Sequence, residues 1–292
     1  VAAENKNNER TWTIACIDGS QFNSAVCDYA VWLSRVLAAP FKAVYAIEHA
    51  TTTAAADLTG AIGLGAQELL LSELTELEQQ RNKLEMQKGR QMLETVKLRA
   101  TEAGIENPVT VQRHGSITET LLDFEHETRV VVVGIRGEQH EEATDHLGAH
   151  LETLVRSIQR PILVVNKEFA EPKAAMIAYD GSACSDKALE MVASSPMFND
   201  IPVHLVYVAK EKGQGAEIIE KAKQKLVSAG RKVYAGVLEG DAAKALCQYQ
   251  EIHNIDLTVM GAFSHNRLRE LVFGSFTAKM LLNTKVPLLL LR

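Results

Sequence analysis

Apolar positions along the chain fall into short unbroken runs, separated by longer segments with helical periodicity. Residues 11–17 (TWTIACI) form the first run, which stops at Asp18-Gly19-Ser20. Apolar side chains then recur three or four apart at Phe22, Ala25, Val26, Tyr29, Ala30, Leu33, Val36 and Leu37, as on one face of a helix. No charge lies between Asp28 and Arg35, so this helix is expected to be well buried. Residues 41–47 make a second run. The same succession restarts at 173–179 (KAAMIAY), which runs into Asp180-Gly181-Ser182, a shorter helical segment and a run at 203–209 (VHLVYVA). Asp18 and Asp180 stand 162 residues apart, and AVYAIE from Ala43 and LVYVAK from Leu205 keep that offset. The chain is an internal duplication.

Further on the offset falls to about 126. Gly134 matches Gly261, Gly148-Ala149 matches Gly274-Ser275, and RPILVV matches VPLLLL. The first half therefore holds about 36 extra residues between its second and third strands, a segment of about 49–90. Its start, 51–65, is rich in Thr, Ala and Gly; it is expected to be mobile or to act as a lid beside the first-half crevice. A long helix is expected over 66–103, with Gly89 the point at which it could break. Leu70, Leu74, Leu77 and Leu84 give one stripe, and Leu93, Val96, Ala100 and Ala103 another. Packing of these leucines on the protein's own sheet is the simpler expectation, although a stripe of this length could seat a partner.

Each half continues with a strand (109–113; 232–237), a helix (117–127; 242–253), a fourth strand (130–133; 257–260), a last helix and a final strand (162–165; 288–291). Apolar runs without polar alternation, separated by helices, call for a parallel sheet covered on both faces. Residues 1–10 read as a frayed terminus, 11–168 as a first domain, 167–173 with Pro172 as the linker, and 169–292 as a second domain. The final strands, both uninterrupted apolar runs, would be hazardous as free edges and are expected to pair the halves as a pseudo-dimer.

Candidate chemistry concentrates in 257–282. There a buried run ends at Met260-Gly261, a loop carries Ser264, His265, Arg267 and Arg269, and Gly274-Ser275 opens a helix beginning at Phe276. Unpaired N–H groups and the positive end of a helix favour a phosphate at such a turn. Glycine spacing alone is better explained by a ligand-free strand-to-helix connection.

Composition narrows the picture. Hydrophobic residues at 46% and charged residues at 23% are those of a globular protein, with no run of membrane-spanning length. A net charge of -6 argues against a general nucleic-acid binder. Cys16, Cys27, Cys184 and Cys247 lack metal-ligand spacing and read as thiols of a reducing compartment, the cytoplasm.

In this layout the chain resembles a tandem universal stress protein, with two such domains from about residue 11 to Arg292. The family's nucleotide motif is G-x-x-G, nine residues, then G-S or G-T. Gly261, Ser264 and Gly274-Ser275 keep its spacing with one substitution, at Ser264. The resemblance implies two Rossmann-like open parallel five-stranded sheets of order 3-2-1-4-5, with helices on both faces. It also implies ATP as ligand, accompanied by Mg2+ or Mn2+. Asp180 would take a ribose or metal-side role and Val208 would meet adenine. Gly261, Gly274 and Ser275 would line ribose and phosphates, and Tyr179, Met260, Ser264, His265, Arg267 and Phe276 would complete the crevice.

The first-half counterparts are Asp18, Ala46, Gly134, Gly137, Gly148 and Ala149, and they depart further from the motif. Ten residues separate Gly137 from Gly148, and Ala149 replaces the hydroxyl residue. Glu138, Glu141, Glu142 and Asp145 on that loop would repel a polyanion. His140, His146 and His150 are spaced too irregularly for a metal site and read as solvated charge. The resulting expectation is a stress-response adenine-nucleotide module with its site in the second half and a degenerate first site. No catalytic residues are assigned; slow ATP hydrolysis is a further possibility. The rival reading is a non-nucleotide scaffold or small-ligand carrier acting through protein partners. A homodimer is expected from family habit, and neither nucleic acid nor membrane is expected as a partner.

Overall fold

The computed structural model describes residues 11–48, 64–137, 149–209, 215–262 and 275–292. The first half supplies β1 (Trp12–Ile17), α1 (Asn23–Val36), β2 (Phe41–Ile47), α2 (Leu64–Glu102), β3 (Val109–His114), α3 (Ile117–Asp123), β4 (Thr128–Gly134), α4 (Ala149–Ser157) and β5 (Ile162–Val165). The second half repeats the order with β6 (Ala175–Ala178), α5 (Ala183–Ser194), β7 (Val203–Ala209), α6 (Ala216–Ser228), β8 (Val233–Glu239), α7 (Ala242–Ile252), β9 (Leu257–Gly261), α8 (Ser275–Asn283) and β10 (Leu288–Leu291). The helix expected over 117–127 stops at Asp123 and gives way to a 3-10 turn at Glu125–Glu127. The run at 173–179 contributes only its middle four residues to β6.

Within each half the strands are parallel and ordered 3-2-1-4-5, as expected. The two halves then join edge to edge into one ten-stranded sheet, β3-β2-β1-β4-β5-β10-β9-β6-β7-β8. The join is antiparallel, with Leu288 opposite Val164, Leu289 opposite Leu163 and Leu290 opposite Ile162. All six side chains are buried, so the apolar edges that would invite aggregation are consumed internally. Asn166 Nδ2 donates across the join to the carbonyls of Thr284 (2.9 Å) and Val286 (3.2 Å). Beside the linker, Phe169 packs edge-on against Tyr29 of α1, ring centroids 4.8 Å apart. One apolar layer lies between the sheet and α1, α2, α5 and α6; the other lies beneath α3, α4, α7 and α8. Both layers run through both halves.

Helix α2 corrects two expectations. It runs unbroken for 39 residues through Gly89. That glycine serves close approach: a Cβ there would stand 2.6 Å from the Tyr45 ring and 2.8 Å from Gln112 Nε2. Gln112 also donates to the carbonyl of Met86 at 3.1 Å, fixing the helix to β3. The second stripe packs on the sheet as expected through Leu93, Val96 and Ala100, all buried, although Ala103 is exposed. Of the first stripe, Leu77 is 61% and Leu84 66% exposed and Leu74 is half-buried, while the Leu70 side chain lies outside the described ones. Leu84 lies almost opposite Met86 on the helix, so a helix that seats Met86 and Leu93 inward must turn Leu84 outward. Among the described residues no helix is long and apolar enough to cross a membrane. All four cysteines are free. Cys16 and Cys27 are buried, and burial pushes the Cys27 thiol up to about 12, leaving it inert at neutral pH.

Candidate functional site

Strand order reverses between β1 and β4, and again between β6 and β9. Each reversal opens a crevice at the carboxyl ends of those strands, where open α/β sheets take ligands. The second crevice brings together Asp180, just beyond β6, and Gly261, the last residue of β9. Asp180 is exposed, and its Oδ1 accepts from the N–H of Ser182 at 3.0 Å. Gly181 sits at φ +77°, which lets the chain turn sharply into α5. Ser182 caps that helix by accepting from the N–H of Ser185 at 3.3 Å, and Ser185 Oγ returns a bond to the Ser182 carbonyl at 2.9 Å.

Gly261 is glycine for a steric reason. A Cβ there would lie 2.7 Å from Cys184 Cβ and 2.9 Å from the backbone carbon of the same residue. The first turn of α5 is thus pressed directly onto the end of β9. Sequence reasoning missed Thr277, two residues into α8. Its buried hydroxyl donates to the carbonyl of Ala262, tying the start of α8 to the end of β9. The sequence carried no signal for it beyond a hydroxyl two residues after Ser275.

The remaining candidates divide. Val208, half-buried, stands in register with Leu238 of β8, giving an apolar wall beside the crevice. Phe276 is half-buried on the α7–α8 side. Met260 is buried beneath that same layer, so only its backbone lies at the crevice. Tyr179 is buried on the α5–α6 side, and its hydroxyl donates to Asp186 at 2.6 Å. Burial and that carboxylate push the phenol up. Ser275 is the first residue of α8. Ser264, His265, Arg267 and Gly274 lie outside the described residues, as does Arg269.

The first crevice is built from the same parts and is more filled. Asp18 is half-buried; its Oδ1 accepts from the Ser20 N–H at 3.0 Å, and its own N–H donates to Asn23 Oδ1 at 3.1 Å. A Cβ on Gly137 would come within 3.3 Å of Asp18 Oδ2, so the start of the first loop crosses against this carboxylate. At the position that Cys184 holds in the second half stands Phe22, packed against Gly134 and against both apolar layers. Ala46 stands in register with Arg113, whose guanidinium pairs with Asp123 at 2.7 Å. The second half has Leu238 there. At the position of Thr277 the first half has buried Leu151, which has no hydroxyl to offer. Ala149 opens α4. Gly148, the four loop carboxylates, His140, His146 and residues 51–63 of the expected lid lie outside the described residues, and His150 falls within α4 rather than on the loop.

The family model described as "Universal stress protein family" matches this chain twice, over residues 13–166 and 172–292. A curated relative, Universal stress protein Slr1230 of Synechocystis, is 38% identical over 283 residues, covering 96% of this chain and 99% of its own. A universal stress protein from Archaeoglobus fulgidus superposes with a TM-score of 0.70 at 17% identity, over 97% of this chain and 96% of that one. A universal stress protein solved in complex with cAMP matches 42% of this chain and 98% of its own at 19% identity, with a TM-score of 0.36.

Proposed function

The chain belongs to the universal stress protein family, and we propose that it is an adenine-nucleotide-binding module whose working site is the crevice of the second half. The observation that carries this reading is the contrast between the two aspartates. Asp180 is exposed beside a crevice bordered by Gly261, Cys184 and apolar Val208. Asp18 has the first loop at Gly137 against its carboxylate and Phe22 in the place of the small cysteine. The residues of the second half fit a nucleotide. The N–H groups at the start of α8 favour phosphate, the Thr277 bond fixes where that helix begins, and Val208 with Leu238 offers an apolar face for a base. Asp180 would meet a ribose hydroxyl or a phosphate-bound cation, Mg2+ or Mn2+. Loop composition supports the same reading: the sequence after β9 carries His265, Arg267 and Arg269, and the sequence after β4 carries four carboxylates.

Titration calorimetry with ATP and Mg2+ tests this on two variants. Gly274→Val should abolish binding by blocking backbone approach to the phosphates, and Gly148→Val should leave it unchanged. If Gly148→Val loses the nucleotide and Gly274→Val keeps it, the site belongs to the first half. If the unmodified chain takes up no adenine nucleotide, the reading as a whole fails.

A further inference from the structure

Two leucines of α2, Leu77 and Leu84, are exposed and lie outside the described core. Leu77 and Leu84 stand seven residues apart, on one side of the helix. Helix α2 touches the sheet from Met86 onward, through Gly89, Leu93, Val96 and Ala100. Tyr45, against which Gly89 rests, is two residues from the end of β2. The helix amino-terminal to Met86, roughly 30 Å long at about 1.5 Å per residue, contributes no residue to the described core. Along this arm residues 72–84 are exposed except for half-buried Leu74 and Asn82.

The charges of the arm are segregated along its length. Residues 68–78 carry four glutamates and no basic residue; residues 81–90 carry Arg81, Lys83, Lys88 and Arg90 against the single Glu85. A parallel pair of such arms would set glutamates beside glutamates. An antiparallel pair sets the acidic half of each beside the basic half of the other. Centred between Gln80 and Arg81, that pairing also brings Leu77 of one copy level with Leu84 of the second, twice by symmetry. Arg81, at the axis, has Glu78 and Glu85 one turn away on either side. We propose that the amino-terminal arm of α2 is a self-association element that pairs antiparallel with the same arm of a second copy of this chain.

Sedimentation equilibrium and directed crosslinking test it on the full chain, with Cys184→Ser and Cys247→Ser removing the half-buried thiols. At tens of micromolar the chain should sediment at about 64 kDa, twice its 32.0 kDa. The double variant Leu77→Glu/Leu84→Glu, at exposed positions and with unchanged circular dichroism, should associate at least tenfold more weakly. Chains bearing Leu77→Cys and chains bearing Leu84→Cys should crosslink under mild oxidation when mixed, and neither should crosslink with itself. A monomeric parent chain, a double variant as dimeric as the parent, or self-crosslinking of Leu77→Cys would each overturn the proposal.

Discussion

Replacing Gly261 by alanine tests how the second crevice is held. The added Cβ would stand 2.7 Å from Cys184 Cβ, 2.9 Å from the Cys184 backbone carbon and 3.1 Å from the Ser185 nitrogen. Carbon atoms in contact ordinarily lie about 3.5–4.0 Å apart. The deficit is therefore roughly 0.8 Å, and two of the three atoms are backbone that cannot swing aside. The first turn of α5 must withdraw, carrying Ser182 and Asp180 with it. Overpacking of this kind costs about 1–3 kcal/mol, and for a chain of this size each kcal/mol lowers the melting temperature by about 2–4 °C. The duplication supplies the control. At Gly134 the nearest atoms are Phe22 Cβ at 3.1 Å and the Arg136 carbonyl oxygen at 3.3 Å, so Gly134→Ala needs a shift of only a few tenths of an ångström. Thermal melts and urea titrations of the two variants should rank Gly261→Ala well below Gly134→Ala. Calorimetry at a temperature where both are folded should show nucleotide affinity at least tenfold weaker in Gly261→Ala alone. A Gly261→Ala chain as stable as the parent, or less damaged than Gly134→Ala, would refute the packing argument.

Other outcomes follow from single contacts. Thr277→Val keeps shape but leaves the Ala262 carbonyl without its hydroxyl donor; it should cost about 1–2 kcal/mol in urea unfolding and weaken nucleotide binding. His204 accepts or shares a proton with the Tyr249 hydroxyl at 3.0 Å, and burial with nearby His253 holds its pKa below the usual histidine value. Around it stand Tyr234, Tyr249, His253 and, over the Tyr234 ring, Lys232. The unfolded chain therefore binds this proton more readily, so the stabilisation is present above about pH 6.5 and is lost as pH falls through the depressed folded value. Urea midpoints at pH 7.5 and 5.5 should differ less in His204→Phe than in the parent. Lys42 is buried beneath Trp12 and Phe124 and paired with Glu127 at 2.6 Å. Glu127→Ala, which strands the ammonium, should destabilise by about 1–3 kcal/mol and by more than Lys42→Met, which removes it.

How much of this was legible depended on what each residue's neighbours were. The strands Phe41–Ile47, Ile162–Val165, Val203–Ala209 and Leu288–Leu291 were readable to the residue, because a strand buried on both faces is a near-continuous apolar run, interrupted here only by Lys42 and His204. The duplication shows that the halves share one plan, and the strand order and both switch points came from the resemblance to the universal stress family. Gly89 was misread because intrinsic propensity makes glycine a weak point in a helix, while the Tyr45 ring that selects it comes from a strand more than forty residues earlier. The stripe through Leu77 and Leu84 was visible, but periodicity reports that a face exists and not which way it points. Phe22 was counted as one more apolar residue of α1. Only its alignment with Cys184, 162 residues on, marks it as the bulkier of two residues in equivalent crevices. Thr277 acts through one backbone carbonyl fifteen residues away across a loop, and no spacing rule announces such a bond.

The antiparallel join of β5 to β10 has a consequence for how the molecule can work. Parallel strands within each half put each crevice at the carboxyl ends, and the reversal at the join sends those ends in opposite directions. The two crevices therefore open at opposite edges of the sheet, separated by its buried core. The arm of α2 rises from the first-half end, beyond β2, and the second crevice lies at the other. Among the described residues, the proposed nucleotide site and the proposed pairing arm thus share no surface through which to compete. Coupling between them would need a displacement carried across the ten strands of a close-packed sheet. The Leu77→Glu/Leu84→Glu chain should accordingly bind nucleotide as the parent does, while Gly274→Val should pair its arms as the parent does. A change of more than about threefold in either crossed measurement would show that the sheet transmits between its two ends.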